Sequence, residues 1–102
     1  MKAVFLYVYI KKSNKQTNRV RYEKIYIETV VKFLATGGMR PQFVVWTDGR
    51  KYQIDKVKSI MRAPAKSGGL LTDRYVCVFG EKERNLYFEK DQLKWFVERG
   101  IK

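Results

Sequence analysis

Along most of this chain apolar and polar residues alternate with a period of two, the spacing of a half-buried strand, and turn residues break the pattern at short intervals. Residues 3–10, Ala-Val-Phe-Leu-Tyr-Val-Tyr-Ile, depart from it by being apolar on both faces. That predicts an N-terminal strand covered on both sides, by the domain or by a partner. Lys11 to Arg21 is polar and basic and reads as a flexible connection. Glu23 to Thr36 supports two readings. Tyr26, Val30, Phe33 and Leu34 fall at helical spacing, with Gly37 as a C-terminal stop. Against this, Ile25, Ile27, Thr29, Val31 and Phe33 alternate on one face, and the many β-branched residues favour a strand. The strand is preferred.

Gly37-Gly38 turns the chain, and Pro41 suits the first position of a strand. Phe43 to Thr47 and Lys51 to Ile54 flank Asp48-Gly49, a dipeptide that supplies the positive φ angles of a tight hairpin. Trp46 and Tyr52 are expected to pair across that turn and Ile54 and Val57 to point inward. Asp55 is expected to cap locally or to pair with Lys56 or Arg74. Val57 to Met61 continues the strand or bends into the next one, and Ala63 to Thr72 is a loop. Arg74 to Phe79 and Asn85 to Glu89 form a second hairpin across Gly80 to Arg84. Lys90 to Leu93 turns into a last strand, Lys94 to Glu98, for which a short helix over 91–99 competes. The fold class is therefore all-β: a small, strongly curled antiparallel sheet or partly open barrel of six or seven short strands, closure protecting the edges. The chain reads as a single domain, 1–102, with an N-terminal strand at 1–10, a basic connection at 11–21 and a β core at 22–99.

Composition narrows the chemistry. With 102 residues, 45% of them hydrophobic, one domain with a real core is affordable. There is no histidine. This excludes a Ser-His-Asp or Cys-His nucleophile, a histidine general base and most zinc sites. None of the ten acids has lysine two positions on, the spacing common in metal-dependent nucleases, and no glycine-rich loop leads into Gly-Lys-Ser/Thr. No cofactor, metal or enzymatic activity is expected, with one exception: a metal-independent ribonuclease could use Arg62, Arg84 and Tyr87. The single cysteine, Cys77, sits between valines and is expected to be buried and inert, which suits a reducing compartment. The apolar run at 3–10 lacks a small-residue cleavage site and is far shorter than the ~20 residues of a membrane helix, so no membrane partner is expected.

Charge points to a partner. The 22 basic and 10 acidic residues leave a formal +12. Residues 1–24 contribute a net +6, residues 25–69 +5 and residues 70–102 only +1. Such asymmetry is the footprint of a polyanion binder. The basic connection supplies Lys11, Lys12, Lys15, Arg19 and Arg21 as candidate contacts, and Lys51, Lys58, Arg62 and Lys66, with Lys56, make a looser second cluster. An unbroken strand would place Lys56, Lys58 and Arg62 on one face. Tyr7 and Tyr9, with Phe5, form an aromatic stripe running into Lys11 that could stack bases. Trp46, Tyr52, Tyr75, Phe79, Phe88, Trp95 and Phe96 are expected mostly in the core.

From Met39 onward Arg40-Pro41, the run Val45 to Val57 (Val-Trp-Thr-Asp-Gly-Arg-Lys-Tyr-Gln-Ile-Asp-Lys-Val), Gly68-Gly69 with Arg74-Tyr75, Leu86 to Glu89 and Trp95 to Glu98 resemble a group of short Firmicutes proteins with no assigned activity. The resemblance covers about 60 residues and implies a cytoplasmic bacterial protein with an all-β core. Trp46, Gly49-Arg50, Tyr52 and Val57 are similar, more faintly, to small proteins encoded beside translesion DNA polymerases. The first 20 residues depart from the group's shorter start. Two functions follow as expectations: a non-enzymatic nucleic-acid-binding module acting through phosphate contacts, or a protein-interaction or homodimerisation module using the apolar N-terminal strand.

Overall fold

A computed structural model describes residues 21–68 and 72–101. The strand expected at 3–10, its aromatic stripe and all of the basic connection before Arg21 lie outside the described residues. The rest is all-β. Eight strands run in order: β1 (Arg21–Tyr26), β2 (Glu28–Phe33), β3 (Met39–Val45), β4 (Lys51–Gln53), β5 (Lys56–Arg62), β6 (Thr72–Phe79), β7 (Lys82–Glu89) and β8 (Lys94–Ile101). They form two antiparallel sheets, one ordered β1-β8-β7-β6-β5 and the other β2-β3-β4.

This corrects the expected architecture. There are eight strands rather than six or seven, and neither sheet is closed or strongly curled. The reason lies at two switch points. The alternation of Ile25, Ile27, Thr29 and Val31 continues unbroken, yet the hydrogen-bond partner changes in its middle. Ile27, buried at 7% exposure, still donates its N–H to the Trp95 carbonyl at 3.0 Å, while Glu28 already lies opposite Val45. At the other edge the Ile54 N–H bonds to the Gln42 carbonyl at 2.9 Å, and the next N–H, of Asp55, bonds to Val78 at 2.8 Å. Two chain segments, β1–β2 and β4–β5, thus each edge both sheets, joining them covalently where a barrel would carry a hydrogen-bonded ladder.

Segment 23–36 is strand on both sides of Ile27 as far as Phe33, then turn, and 94–101 is strand rather than helix. Around Asp48-Gly49 only Gly49 takes a positive φ, 91°, and the turn closes through Trp46 N–H to the Arg50 carbonyl at 2.7 Å. Tyr52 consequently lies opposite Val44, not Trp46, and is 43% exposed. Asp55 pairs with neither Lys56 nor Arg74: its Oδ2 accepts the Gly80 N–H at 2.6 Å.

The two sheets share one core. Val44 of β3 joins Tyr75, Cys77, Leu86, Phe88, Trp95 and Val97 of the larger sheet, with Ile27 and Ile54 at the switch points. Tyr75 and Phe88 each contact the Trp95 ring, at 5.0 and 4.7 Å between centroids. Cys77 is fully buried, and desolvation pushes its thiol up to about 11, so it stays protonated and inert as expected. The opposite face of the five-stranded sheet carries a second cluster of Ala65, Tyr87 and Phe96, covered by the segment after β5. Tyr87 and Phe96 stack at 5.1 Å, and the Ser67 N–H anchors the segment to Glu98 Oε2 at 2.5 Å. On this face the Lys24 ammonium donates to Glu89 Oε2 at 2.8 Å and the Tyr26 hydroxyl to Oε1 at 3.0 Å. Those bonds, led by Lys24, hold the Glu89 carboxyl below its ordinary range. Among the described residues no helix is long and apolar enough to cross a membrane.

Candidate nucleic-acid interface

The outer face of the three-stranded sheet is built by two hairpins. At the first, Gly37 and Gly38 take φ of 89° and 100°, which a side chain would resist, and the turn closes by Gly37 N–H to the Leu34 carbonyl at 2.9 Å and Leu34 N–H to Gly38 at 3.0 Å. This turn sets Phe33 opposite Met39 and therefore Lys32 opposite Arg40. A bulge between Val30 and Val31 then brings Val30 opposite Phe43. Val31, Met39 and Val44 pack on the core, so alternation sends Lys32, Arg40, Val30 and Phe43 outward. At the second hairpin Asp48 Oδ1 accepts the Arg50 N–H at 2.9 Å, and Lys51 lands opposite Val45 on the same outer face. Its ammonium stands 5.4 Å from the centre of the half-buried Phe43 ring.

The register makes this face electrostatically unlike the rest of the molecule. Directly opposed charged residues in the five-stranded sheet are all opposite in sign: Glu23 with Arg99, Lys24 with Glu98, Arg62 with Asp73 and Glu89 with Lys94. In the three-stranded sheet the one such pair, Lys32 with Arg40, is cation against cation. Like charges directly opposite destabilise a sheet. Neither makes an ion pair with a described residue. Among the described residues of this sheet face the acid is Glu28, which starts β2 four residues from Lys32, roughly 13 Å along the strand, in one row with Val45 and Lys51. An arrangement that costs stability in the free protein, with the Phe43 ring and Lys51 farther along the same face, can hold phosphates.

Beside this face, β3 and β5 part company below Ile54 and leave a groove of about 640 Å³. Arg40 and Lys56 stand at its rim.

The expected site residues are only partly gathered here. Lys51 belongs to this face. Lys58 does not act as a free cation, since it bonds to Glu83 Oε2 at 2.6 Å, a partner 25 residues away. The expectation that Lys56, Lys58 and Arg62 share a face fails, because a bulge between Val57 and Ser59 breaks the alternation. Lys56 lies opposite Val78 and Arg62 opposite Asp73, on different faces of the sheet. Lys66 extends over the Tyr22 ring at 5.0 Å, on the far side of the large sheet, and Arg21 opens β1, exposed, opposite Ile101. Tyr7, Tyr9, Lys11, Lys12, Lys15 and Arg19 lie outside the described residues. Arg84 and Tyr87 fall on opposite faces of β7, with Tyr87 buried at 2% exposure, so the ribonuclease trio is not assembled. Sequence reasoning missed Lys32, Arg40 and Phe43. Their signal was the equal spacing of Lys32 and Arg40 about Thr36, the centre of the turn that Gly37-Gly38 closes.

Compared with known proteins, the chain matches no family model, no curated sequence and no solved structure.

Proposed function

We propose that this protein is a non-enzymatic nucleic-acid-binding module that grips phosphates through the outer face of its three-stranded sheet. The observation that carries the reading is the opposition of Lys32 and Arg40 on neighbouring strands, left without an acid partner among the described residues, with Lys51 farther along the same face. Selection for stability alone favours opposite signs there, as in the five-stranded sheet. A polyanion relieves the repulsion on binding. The excess of 12 positive charges adds long-range attraction to the same class of ligand.

The test is fluorescence anisotropy with labelled single-stranded DNA, duplex DNA and RNA between about 50 and 200 mM salt. Three phosphate contacts to a single strand predict a log–log salt slope near −2, or about a twenty-fold loss across that range, and more if the basic connection contributes. Lys32→Gln combined with Arg40→Gln lowers the slope by about 1.4. A slope unchanged by that double variant overturns the assignment of this face, and no binding of any polyanion at low salt overturns the function.

A further inference from the structure

We infer that the ligand is a single strand, and that the groove between β3 and β5 receives an unpaired base while the backbone crosses Lys32 and Arg40. The inference rests on the phosphate-binding reading of the neighbouring face.

Three observations carry it. First, the groove is continuous with the cationic face through Arg40, which is opposed to Lys32 and also lines the groove wall. A strand held there has the groove within one nucleotide's reach. Second, the groove offers apolar surface to the flat ring of a base between its cations. Met39, Ile54 and Ile60 supply apolar walls, and Ile60 is 53% exposed, an unusual place for isoleucine on a strand whose outer edge pairs with no described residue. Asp55, whose Oδ2 accepts the Gly80 N–H, and the cations Lys56 and Lys58, the latter paired with Glu83, complete the lining of the groove. Its volume falls within the range of ordinary small-ligand sites, about 300–1,000 Å³. Third, the half-buried Phe43 ring lies on the same face as the cations. Bases stack on such rings only when their own faces are free, and a duplex keeps those faces covered. A peptide strand added to the β5 edge would also meet Ile60, but it makes no use of Lys32, Lys51 or Phe43.

The experiment uses the full chain and three fluorescent probes of equal length: a single-stranded DNA, its duplex, and an abasic strand with the same phosphates and no bases. The single strand is expected to bind at least about five-fold more tightly than the abasic strand, the equivalent of one stacked base. It is expected to bind more tightly than the duplex as well. Ile60→Ser and Phe43→Leu, each checked for unchanged thermal unfolding, should weaken the single strand and leave the abasic strand unaffected. Equal affinity for normal and abasic strands, or tighter binding of duplex, overturns this inference while leaving the phosphate reading intact. Failure of all three probes to bind at low salt overturns both.

Discussion

The two sheets are built from the same chain segments and share one core, yet they are finished differently. The five-stranded sheet is covered on both faces, by the common core on one and by the 63–68 segment over Tyr87 and Phe96 on the other. Its ion pairs, Lys24–Glu89, Lys58–Glu83, Lys90–Asp73 and Arg99–Glu23, tie strands or turns together across neutral junctions. Among the described residues the three-stranded sheet has one covered face, and its other face carries opposed cations and, farther along, an aromatic ring under Lys51. The difference teaches where to look for work. The larger sheet sets opposite charges face to face and reads as scaffold, whereas Lys32 and Arg40 of the smaller sheet face each other with no ion pair to a described residue.

The contrast can be broken most forcefully at Phe96. This ring is fully buried between Tyr87 and the Lys24 and Tyr26 side chains, so Phe96→Ala should cost about 3–5 kcal/mol by denaturant unfolding. Glu89→Gln should follow at about 1–3 kcal/mol at neutral pH, since it removes the charge that Lys24 and Tyr26 bond. The pH dependence fixes the sign. A carboxyl held below its ordinary range stabilises the fold above that range and loses the contribution as pH falls through its depressed value. The wild-type chain should therefore lose stability in acid more steeply than Glu89→Gln; parallel pH profiles would contradict this. Leu93 tests the scaffold's one visible strain. It takes a φ of 57°, in the turn after β7, while 76% exposed. Leu93→Gly should raise stability by roughly 0.5–1 kcal/mol, with no change in nucleic-acid affinity. The smallest change in stability is the most informative about the open face. Lys32→Glu replaces a like-charge pair by an opposite one and should stabilise by about 0.2–1 kcal/mol while weakening polyanion binding. A variant that loses both stability and binding would deny that the face sacrifices one for the other.

Much of the strand content was legible in the chain, for reasons that are local. Gly37-Gly38, Asp48-Gly49 and the alternation flanking them specify hairpins whose ends are a few residues apart. Cys77 between valines, and Phe88 and Trp95 at inward positions, were legible from period alone. What escaped reading is non-local. No feature of Ile27 announces that the partner strand changes there, because the side-chain alternation passes through it unaltered. At Ile54 the parity shifts, with Ile54 and Val57 both on the core, but the sequence does not say which sheet follows. The bulge at Lys58 hid which cations share a face, and its ion pair to Glu83 depends on a register fixed by the β5–β6 pairing. Lys32 and Arg40 became legible as a pair only once the first hairpin's register was known.

The pairing of β1 with β8 sets a schedule for synthesis. Tyr26 meets Phe96 and Arg21 meets Ile101, so the first strand of this core has its partner at the far end of the described chain. At translation rates of about 5–20 residues per second, the ribosome needs roughly 4–15 s to make the 75 residues between Tyr26 and Ile101. Throughout that wait Ile25, Ile27 and Val44 lack the β8 surface that buries them. The nascent chain must stay soluble with its core unfinished, and such long-range closure is slow even after release. A cluster of uncompensated cations on the hairpins made early would keep neighbouring nascent chains apart during that interval.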